Sequence, residues 1–439
     1  KIKSQKVNVI VSYIGYKTDT VDIDIKNGEL VSIPMTPLSY QTDEVIVAST
    51  RVAGNAPATK TYVSKEDLAK NNLGQDLTYL LQQTPSVVTT SDGGTGIGYT
   101  GIRIRGSDAS RTNVTINGIP LNDPESHGVF WVNMPDFASS LNSVQIQRGI
   151  GTSTNGAGAF GATINLETKL LSAEPYGEIS NSVGFLENNS ELTNIQYNNR
   201  KHTVQFGSGL INNKFAFEGR LSNIQSEGYI DRASADLKSY FLSGTYYGKN
   251  TVLKAITFGG KERTYQSWNG TPQARVENDV EGMLASAGNN GLSQSQTTNL
   301  LNSGRTYNLY EYDNQVDNYN QDHYQLHVSH EFSDKLTANA ALHYTKGYGY
   351  FEEFKEGQKF ANYGLNDVMN TSDTITRTDL VRRRWLDNDF YGMTYSINYD
   401  PTKKLNFNLG GGINNYEGSH FGEVIWAEFA SNGFPKENY

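Results

Sequence analysis

Gly101-Ile102-Arg103-Ile104-Arg105-Gly106, Thr115-Ile116-Asn117-Gly118-Ile119-Pro120-Leu121, Val144-Gln145-Ile146-Gln147-Arg148-Gly149 and Gly156-Ala157-Gly158-Ala159-Phe160-Gly161-Ala162-Thr163-Ile164-Asn165-Leu166 follow one another within residues 101–169. Each block mixes apolar and polar residues over a few positions and is punctuated by glycine, the pattern of short strands broken by turns. In the first block Ile102 and Ile104 fall on one face, Arg103 and Arg105 on the other. The stretch reads as a small sheet with an apolar face, and its flanks have to be explained around it.

Downstream, period-two alternation recurs. Tyr391, Met393, Tyr395, Ile397 and Tyr399 oppose Gly392, Thr394, Ser396 and Asn398, and Leu405, Phe407, Leu409 and Ile413 oppose Asn406, Asn408 and Asn414. Residues 324–332 and 336–345 repeat the pattern. Tight turns are predicted at Asn212-Asn213, Lys249-Asn250, Asp334-Lys335 and residues 401–404, with long links at 264–322 and 347–389 between them. One apolar and one polar face per strand, with short turns at one end and long loops at the other, is what a membrane barrel wall requires. About nine such strands are expected, the first near residues 176–185.

Composition fits this and excludes other classes. The chain has 439 residues, 36% hydrophobic, with 27 Tyr and 43 Gly. No apolar run reaches the roughly 18 residues of a membrane-spanning helix. A soluble secreted β protein would show similar counts. With no cysteine, disulfides and thiolate chemistry are absent, and a net charge of −9 argues against nucleic-acid binding. Residues 92–99 are glycine-rich but precede a strand and lack a following Lys-Ser/Thr, so they are not a phosphate loop. No triad, paired-carboxylate cleft or nucleotide loop assembles an enzyme site, and no cofactor or metal is expected. No secretory leader stands at Lys1, so the amino terminus is expected to be incomplete.

The four quoted blocks, in their order and spacing, resemble the plug domain of TonB-dependent outer-membrane receptors. The resemblance implies a mainly β fold: a transmembrane antiparallel β-barrel of about 22 strands when complete, filled by an α+β plug. Residues 1–38, with strands around Val7–Val11, Val21–Ile25 and Leu30–Ile33, resemble the second half of the carboxypeptidase-regulatory-like β-sandwich carried by Bacteroidetes-type receptors. Any small antiparallel module would read likewise. Residues 39–60 would be the TonB box and linker, 61–169 the plug and 170–439 the amino-terminal part of the barrel. Asp43, Glu44, Val45, Ile46 and Val47 resemble the TonB box, an extended segment that adds itself as a strand to a partner's sheet edge.

Within the plug, Ser64 is placed to cap a helix with Asp67 three residues on, and Leu77, Leu80 and Leu81 give a second helix over 76–83 that Pro85 stops. The glycine-rich loop is expected to be a flexible apex. Arg103, Arg105 and Arg148 are expected to contact acidic groups on the barrel. The loop at 120–136 holds Asp123, Glu125, His127, Phe130 and Trp131, a polar-aromatic set suited to a ligand floor; a packed interface loop would look the same. Tyr99, Tyr265, Trp268, Tyr348 and Tyr350 complete the ligand candidates, with interfacial anchoring as the competing role for rim aromatics. His323, His327 and His343 cluster only if their strands pair in register.

The family's activity is active import across the outer membrane of a Gram-negative bacterium, driven by the TonB-ExbB-ExbD complex. Thr115-Ile116-Asn117-Gly118 stands where SusC-type glycan importers carry a longer pattern, which directs the expectation to an iron-siderophore, haem or cobalamin-type ligand. The alternatives are an oligosaccharide or peptide importer, or a surface docking protein anchored by its barrel. Outer-membrane lipid is an expected partner, and a surface lipoprotein is left open.

Overall fold

The computed structural model describes residues 5–11, 19–25, 31–35, 51 and 58–439, less 152–157, 170–171, 173, 191–192, 370–372, 403 and 430–433. The expected TonB box, Asp43 to Val47, lies outside the described residues. Ahead of the plug, β1 (Gln5–Val11) and β2 (Asp19–Ile25) pair antiparallel. Residues 31–33, the described part of the third strand expected at Leu30–Ile33, are not strand. Among the described residues no edge pairs with them, and a strand exists only where its backbone groups find partners.

The plug is built on a five-stranded sheet. Its strands are β3 (Lys60–Ser64), β6 (Thr112–Ile116), β7 (Ile119–Pro120), β8 (Leu141–Arg148) and β9 (Ala162–Thr168), in the order β3-β8-β9-β6-β7. Only β6 and β9 run parallel. β4 (Val87–Ser91) and β5 (Thr100–Ile104) form a separate antiparallel pair. β6 and β9 are buried along their whole length, so both faces of the sheet are covered. Ser64 caps α1 (Lys65–Asn71), its hydroxyl accepting from the Asp67 N–H at 3.2 Å. α2 covers only Leu77–Leu80, half the expected length, because Leu81 already closes the turn onto the preceding carbonyls. Leu77 and Leu81 pack in the core.

The glycine-rich loop is pinned rather than flexible. The Ser91 hydroxyl accepts from Gly94 N–H (3.1 Å) and Gly96 N–H (2.9 Å), and Asp76 N–H donates to the Gly96 carbonyl (2.8 Å). Gly96 has φ +77°, and a Cβ there would lie 2.8 Å from the Tyr79 ring. Backbone geometry and close packing both demand glycine.

The wall is an antiparallel meander: β10 (Pro175–Ser190), β11 (Thr193–Ser208), β12 (Phe215–Ser226), β13 (Ala235–Tyr247), β14 (Thr251–Tyr265), β15 (Val316–Ser333) and β16 (Leu336–Lys359), with a small pair, β17 (Val368–Met369) and β18 (Thr374–Ile375), before β19 (Arg377–Thr402) and β20 (Leu405–Ala427). The expected nine long strands are all there, with two-residue β21 (Lys436–Glu437) on the last edge. All four predicted tight turns connect neighbouring strands at one rim. Asn212 and Asn213 take φ of +50° and +54°, as a tight hairpin turn allows for asparagine.

The long links differ from expectation. Residues 266–315 carry three helices, α3 (Gln273–Val276), α4 (Val280–Asn290) and α5 (Gln294–Asn302), around a small core of Met283, Ala287, Leu300 and Tyr307. Most of 347–389 is strand, because β16 and β19 stay in register up to Lys355 opposite Leu380. Ion pairs Glu352–Arg383 and Glu353–Arg382, both 2.8 Å, sit on that extension.

The wall is apolar outside and polar inside. Leu221, Leu326, Leu342, Ile397 and Phe407 are exposed on the outer side, while Lys201, Thr203, Arg220, Gln325 and Ser329 are buried on the inner side. Tyr324 and Phe332 on β15, like Tyr391 and Tyr399 on β19, stand eight residues apart on the outer face. At about 3.3 Å per residue and a tilt near 40°, this is a band roughly 20 Å tall, the height of a membrane barrel's apolar belt. No described helix is long and apolar enough to cross a membrane.

Candidate functional site: the plug, its lock and the outer cleft

Asp136 joins the plug to the wall. It sits in the left-handed region, φ +53°, between Pro135 and the core residue Phe137. Its carboxylate lies 2.6 Å from Lys201 Nζ on β11 and 3.3 Å from Arg220 on β12. Thr203 donates to it at 2.8 Å and Asn72 at 3.0 Å, with Ser139 and Ser222 completing the shell. Burial alone would raise its pKa; Arg220 and Lys201 outweigh that and hold the carboxyl well below the usual carboxylate range. Beside it, the plug core continues into the wall. Phe137 packs on Phe258 (ring centroids 4.8 Å apart) and Phe241 (6.4 Å). Gly260 makes the close approach possible, since a Cβ there would lie 2.3 Å from the Asn133 carbonyl.

The expected arginine contacts are arranged otherwise. Arg103 and Arg105 are exposed, and Arg148 donates to the Pro85 carbonyl (3.0 Å) inside the plug. Among the described residues, the ion pairs buried between plug and wall have the reverse polarity, acid on the plug and cations on the wall, because Lys201 and Arg220 face inward on a lumen side that needs compensation. Arg51, just past the expected box, is held within the plug and not by the wall. It donates to Ser143 Oγ (2.8 Å), the Glu167 carboxylate (3.1 Å) and the Asn165 carbonyl (3.1 Å).

On the opposite face of the plug, two loops meet the lumen. In the first, Asp123 Oδ1 accepts from the N–H groups of Glu125 (3.1 Å) and Ser126 (2.7 Å), so the carboxylate shapes its own turn. That turn presents His127, at φ +59°, and Phe130, 48% exposed. Glu125 reaches across to β20, accepting from Tyr416 OH (3.0 Å) and facing His420 Nε2 (2.9 Å). Phe130, Asp123, Asn388, Phe390 and Tyr416 line a crevice of about 40 Å³. That is room for a few waters and not for a ligand. In the second loop, Tyr99 OH donates to Asp317, and its ring meets Trp268, which meets Phe351, each pair edge-on at 5.6 Å. Burial, then the carboxylates Glu262 and Asp317, push the Tyr99 hydroxyl far up, so it stays a donor. Burial also raises Asp92 to about 6 and Asp76 to about 7.

The structure thus gathers Asp123, Glu125, His127 and Phe130 in one place, and Tyr99 with Trp268 in another. Trp131 leaves the candidate floor: it is 4% exposed in the plug core. It opens a short 3-10 turn whose apolar side faces inward, which a reading of local polarity does not reveal. Tyr348 and Tyr350 share the outer face with Tyr344, and Trp385 packs against both (5.2 and 4.6 Å). Alternation therefore keeps them out of the lumen. Tyr265 is buried, its hydroxyl donating to the Tyr312 carbonyl (2.8 Å). Phe351, which follows Tyr350 at the start of the second long link, faces the lumen side, and Tyr416 and His420 join it unanticipated; Tyr416, Gly418 and His420 at every second position were the available signal. The histidines do come near one another, with His343 opposite Gln325 between His323 and His327. Among the described residues, however, no group of His, Asp or Glu is arranged to hold a metal ion.

Residues 53–163 match the TonB-dependent receptor plug domain family. The ferric enterobactin receptor of Pseudomonas aeruginosa is 23% identical over 279 residues, 59% of this chain and 35% of that protein. The vitamin B12 transporter BtuB of Vibrio vulnificus is 26% identical over 144 residues, 30% of this chain and 23% of that protein. The unliganded ferric citrate transporter FecA superimposes with a TM-score of 0.60 at 14% identity, covering 88% of this chain and 50% of FecA. The last likeness shows the fold alone: a plug seated against an antiparallel barrel wall. The chain spans about a third or less of the curated relatives it matches.

Proposed function

We propose that this chain, a TonB-dependent receptor by its plug domain, imports a scarce iron-siderophore or cobalamin-type compound across the outer membrane of a Gram-negative bacterium. The observation that carries the reading is the seated plug. A barrel serving only as an anchor has no use for a plug whose core runs into the wall and whose Asp136 is locked by Lys201 and Arg220. Such a plug closes the lumen and has to be moved for a ligand to pass. The loop that meets β20 would supply a floor for that ligand: exposed Phe130 for an aromatic or macrocyclic surface, and Asp123, Glu125, His127, Tyr416 and His420 for polar groups. Trp268 and Tyr99 flank it. Asp43 to Val47 would pair with a TonB sheet edge when the floor is occupied, with ExbB and ExbD supplying the force. The first 38 residues would be the amino-terminal extension of a Bacteroidetes-type receptor, and 39–60 the box and linker.

Deleting residues 43–49 tests the reading. Uptake of labelled ligand by intact cells should stop, while ligand binding at the cell surface persists. Uptake retained by the deletion overturns the coupling; growth under iron limitation, with and without the gene, separates the siderophore branch from the cobalamin branch.

A further inference from the structure

A column of polar side chains runs down the inner face of β15 and β16, from the crevice beside Phe130 towards the tight turn at residues 334–335. His323, Gln325, His327 and Ser329 stand at every second position of β15, and β16 sets His343 opposite Gln325 and Asn339 opposite Ser329. His323 lines the crevice together with Asp123 and Phe130. From His323 to Ser329 the column drops about 15 Å, at roughly 3.3 Å per residue and a tilt near 40°. None of these side chains is more than 8% exposed.

The column bonds along the wall. His327 Nε2 donates to Gln325 Oε1 (3.1 Å), and His343 Nε2 to Asn414 Oδ1 (2.9 Å). Asn339 Nδ2 donates to Ser396 Oγ (3.2 Å), and Thr345 Oγ1 to His323 Nδ1 (3.0 Å). Four buried atoms, His327 Nδ1, His343 Nδ1, Asn339 Oδ1 and Ser329 Oγ, have no hydrogen-bond partner among the described residues. With both Nε2–H groups spent, the two remaining ring nitrogens can only accept, and so can the amide oxygen. A buried acceptor without a donor is costly.

The neighbouring strands hold the plug in other ways. On β11 and β12, Lys201, Thr203 and Arg220 bind Asp136. On β13, Ser239 donates to the Pro135 carbonyl (2.7 Å). On β14, Phe258 stands opposite His323 and Ile256 opposite Gln325, and both belong to the plug's apolar core. Lys254, opposite His327, donates to Thr168 Oγ1 and the Lys169 carbonyl (both 3.4 Å). β15 is tied to the plug by Tyr99 and Asp317, above the crevice. Along the column itself, no side-chain hydrogen bond or ion pair crosses to the plug among the described residues. Parting the plug from β11–β14 breaks a buried ion-pair cluster and exposes apolar core. Parting it from the column does neither, and it opens four unpartnered atoms to donors.

We propose that this column is the inner stage of the import route: the plug parts from the wall along β15–β16, and a compound whose periphery bears N–H or O–H donors passes down it from the crevice. Amide or hydroxyl groups on such a compound meet the bare ring nitrogens and the Asn339 oxygen in turn. A periphery made of carboxylates would set acceptors against acceptors. The inference rests on the import reading and adds to it a route and the surface chemistry of the ligand.

Introduced cysteines report the parting, since this chain has none of its own. The test uses the full receptor carrying this chain, freed of any other cysteine and purified in detergent. Ser329→Cys lies on the column and Ser239→Cys on β13, and both positions are buried. In urea too dilute to unfold the wall, a water-soluble thiol reagent should modify the Ser329→Cys variant roughly tenfold faster than the Ser239→Cys variant. Adding His343→Phe, which keeps a ring and removes a bare acceptor, should slow modification at 329 by about threefold and leave 239 as it was. Asn339→Leu makes the same comparison if His343→Phe fails to insert. Equal rates at 329 and 239, or a faster rate at 239, overturn the route. In cells, the wild type is offered radiolabelled cyanocobalamin, whose rim carries primary amides, a ferric trihydroxamate peptide and ferric citrate. Import of either of the first two supports the ligand class, and import of ferric citrate alone overturns it. Uptake that survives deletion of residues 43–49 defeats the import reading, whichever cysteine reacts first. Uptake that needs those residues, alongside equal cysteine rates, defeats only the route.

Discussion

Replacing Asp136 by Asn keeps the shape of the plug's anchor and removes its charge. Lys201 and Arg220, each 3% exposed at the side chain, would then face one another without a counter-ion. Removing one partner of a buried ion pair costs about 3–5 kcal/mol, because the remaining charge has no solvent to return to. At 1.36 kcal/mol per decade, that lowers the protection of plug amides from about a hundredfold to several thousandfold. Hydrogen exchange of β8 in the folded receptor would read it. A triple variant, Asp136→Asn with Lys201→Met and Arg220→Met, should recover most of that loss, since it leaves no buried charge unpaired and keeps an acceptor for Asn72 and Thr203. The pH dependence has a definite sign. Neighbouring cations depress the Asp136 pKa, so its contribution is present above the unfolded value near 3.9 and is lost as pH falls through the folded value. The difference between wild type and the Asn variant should be constant above about pH 5 and shrink only in strong acid. A change in exchange below about threefold would refute the idea that the cluster holds the plug.

Three further outcomes are expected. Phe130→Ala should weaken ligand affinity by roughly thirtyfold, about 2 kcal/mol, with receptor levels unchanged, whereas Trp131→Ala should deplete the folded receptor in outer-membrane fractions by opening the plug core. Asp76 behaves oppositely to Asp136. Its pKa is raised to about 7 by burial, so its favourable protonated form is fully present below pH 3.9 and is lost as pH rises through 7. Asp76→Asn should accordingly match the wild type near pH 4 and be the more stable by up to about 4 kcal/mol at pH 8 in denaturation of the plug. Ile397→Arg, outward in the apolar band, should cost about 2–4 kcal/mol and reduce assembly in folding assays; labelling of a cysteine there by a lumenal reagent would contradict the register.

The wall was legible because its rules are local. Alternation marked the two faces of β15, β16, β19 and β20, and four tight turns marked reversals between neighbouring strands, so this much follows from residues a few positions away. The loop helices were readable too: Ser293 and Gln296 form a capping box and Asp279 caps α4, signals that a search for strands passes over. The extension of β16 and β19 was not, because Glu352 and Arg383 stabilise it from distant positions in sequence while looking like ordinary loop charges. The lock was beyond reach for the same reason. Lys201 lies 65 residues from Asp136, and only the register of the wall shows that the two share an interior. Trp131 and Phe130 are adjacent and chemically alike, so composition could not say which turns inward.

Arg51 determines the order in which a pull from the amino terminus would meet resistance. It grips β8 and β9 through Ser143, Glu167 and Asn165, and the next element along the chain is β3, the outermost strand of the plug sheet, paired to β8 from Lys60 to Ser64. Tension on the preceding segment first has to extract a guanidinium from a nearly dry carboxylate. It then peels an edge strand by opening its ladder one rung at a time, and the two central strands bear no shear until that strand is gone. Mechanically the plug is a zip with a catch at its head. A small force leaves it shut, and once the catch yields, the length of chain released is set by how many rungs are opened.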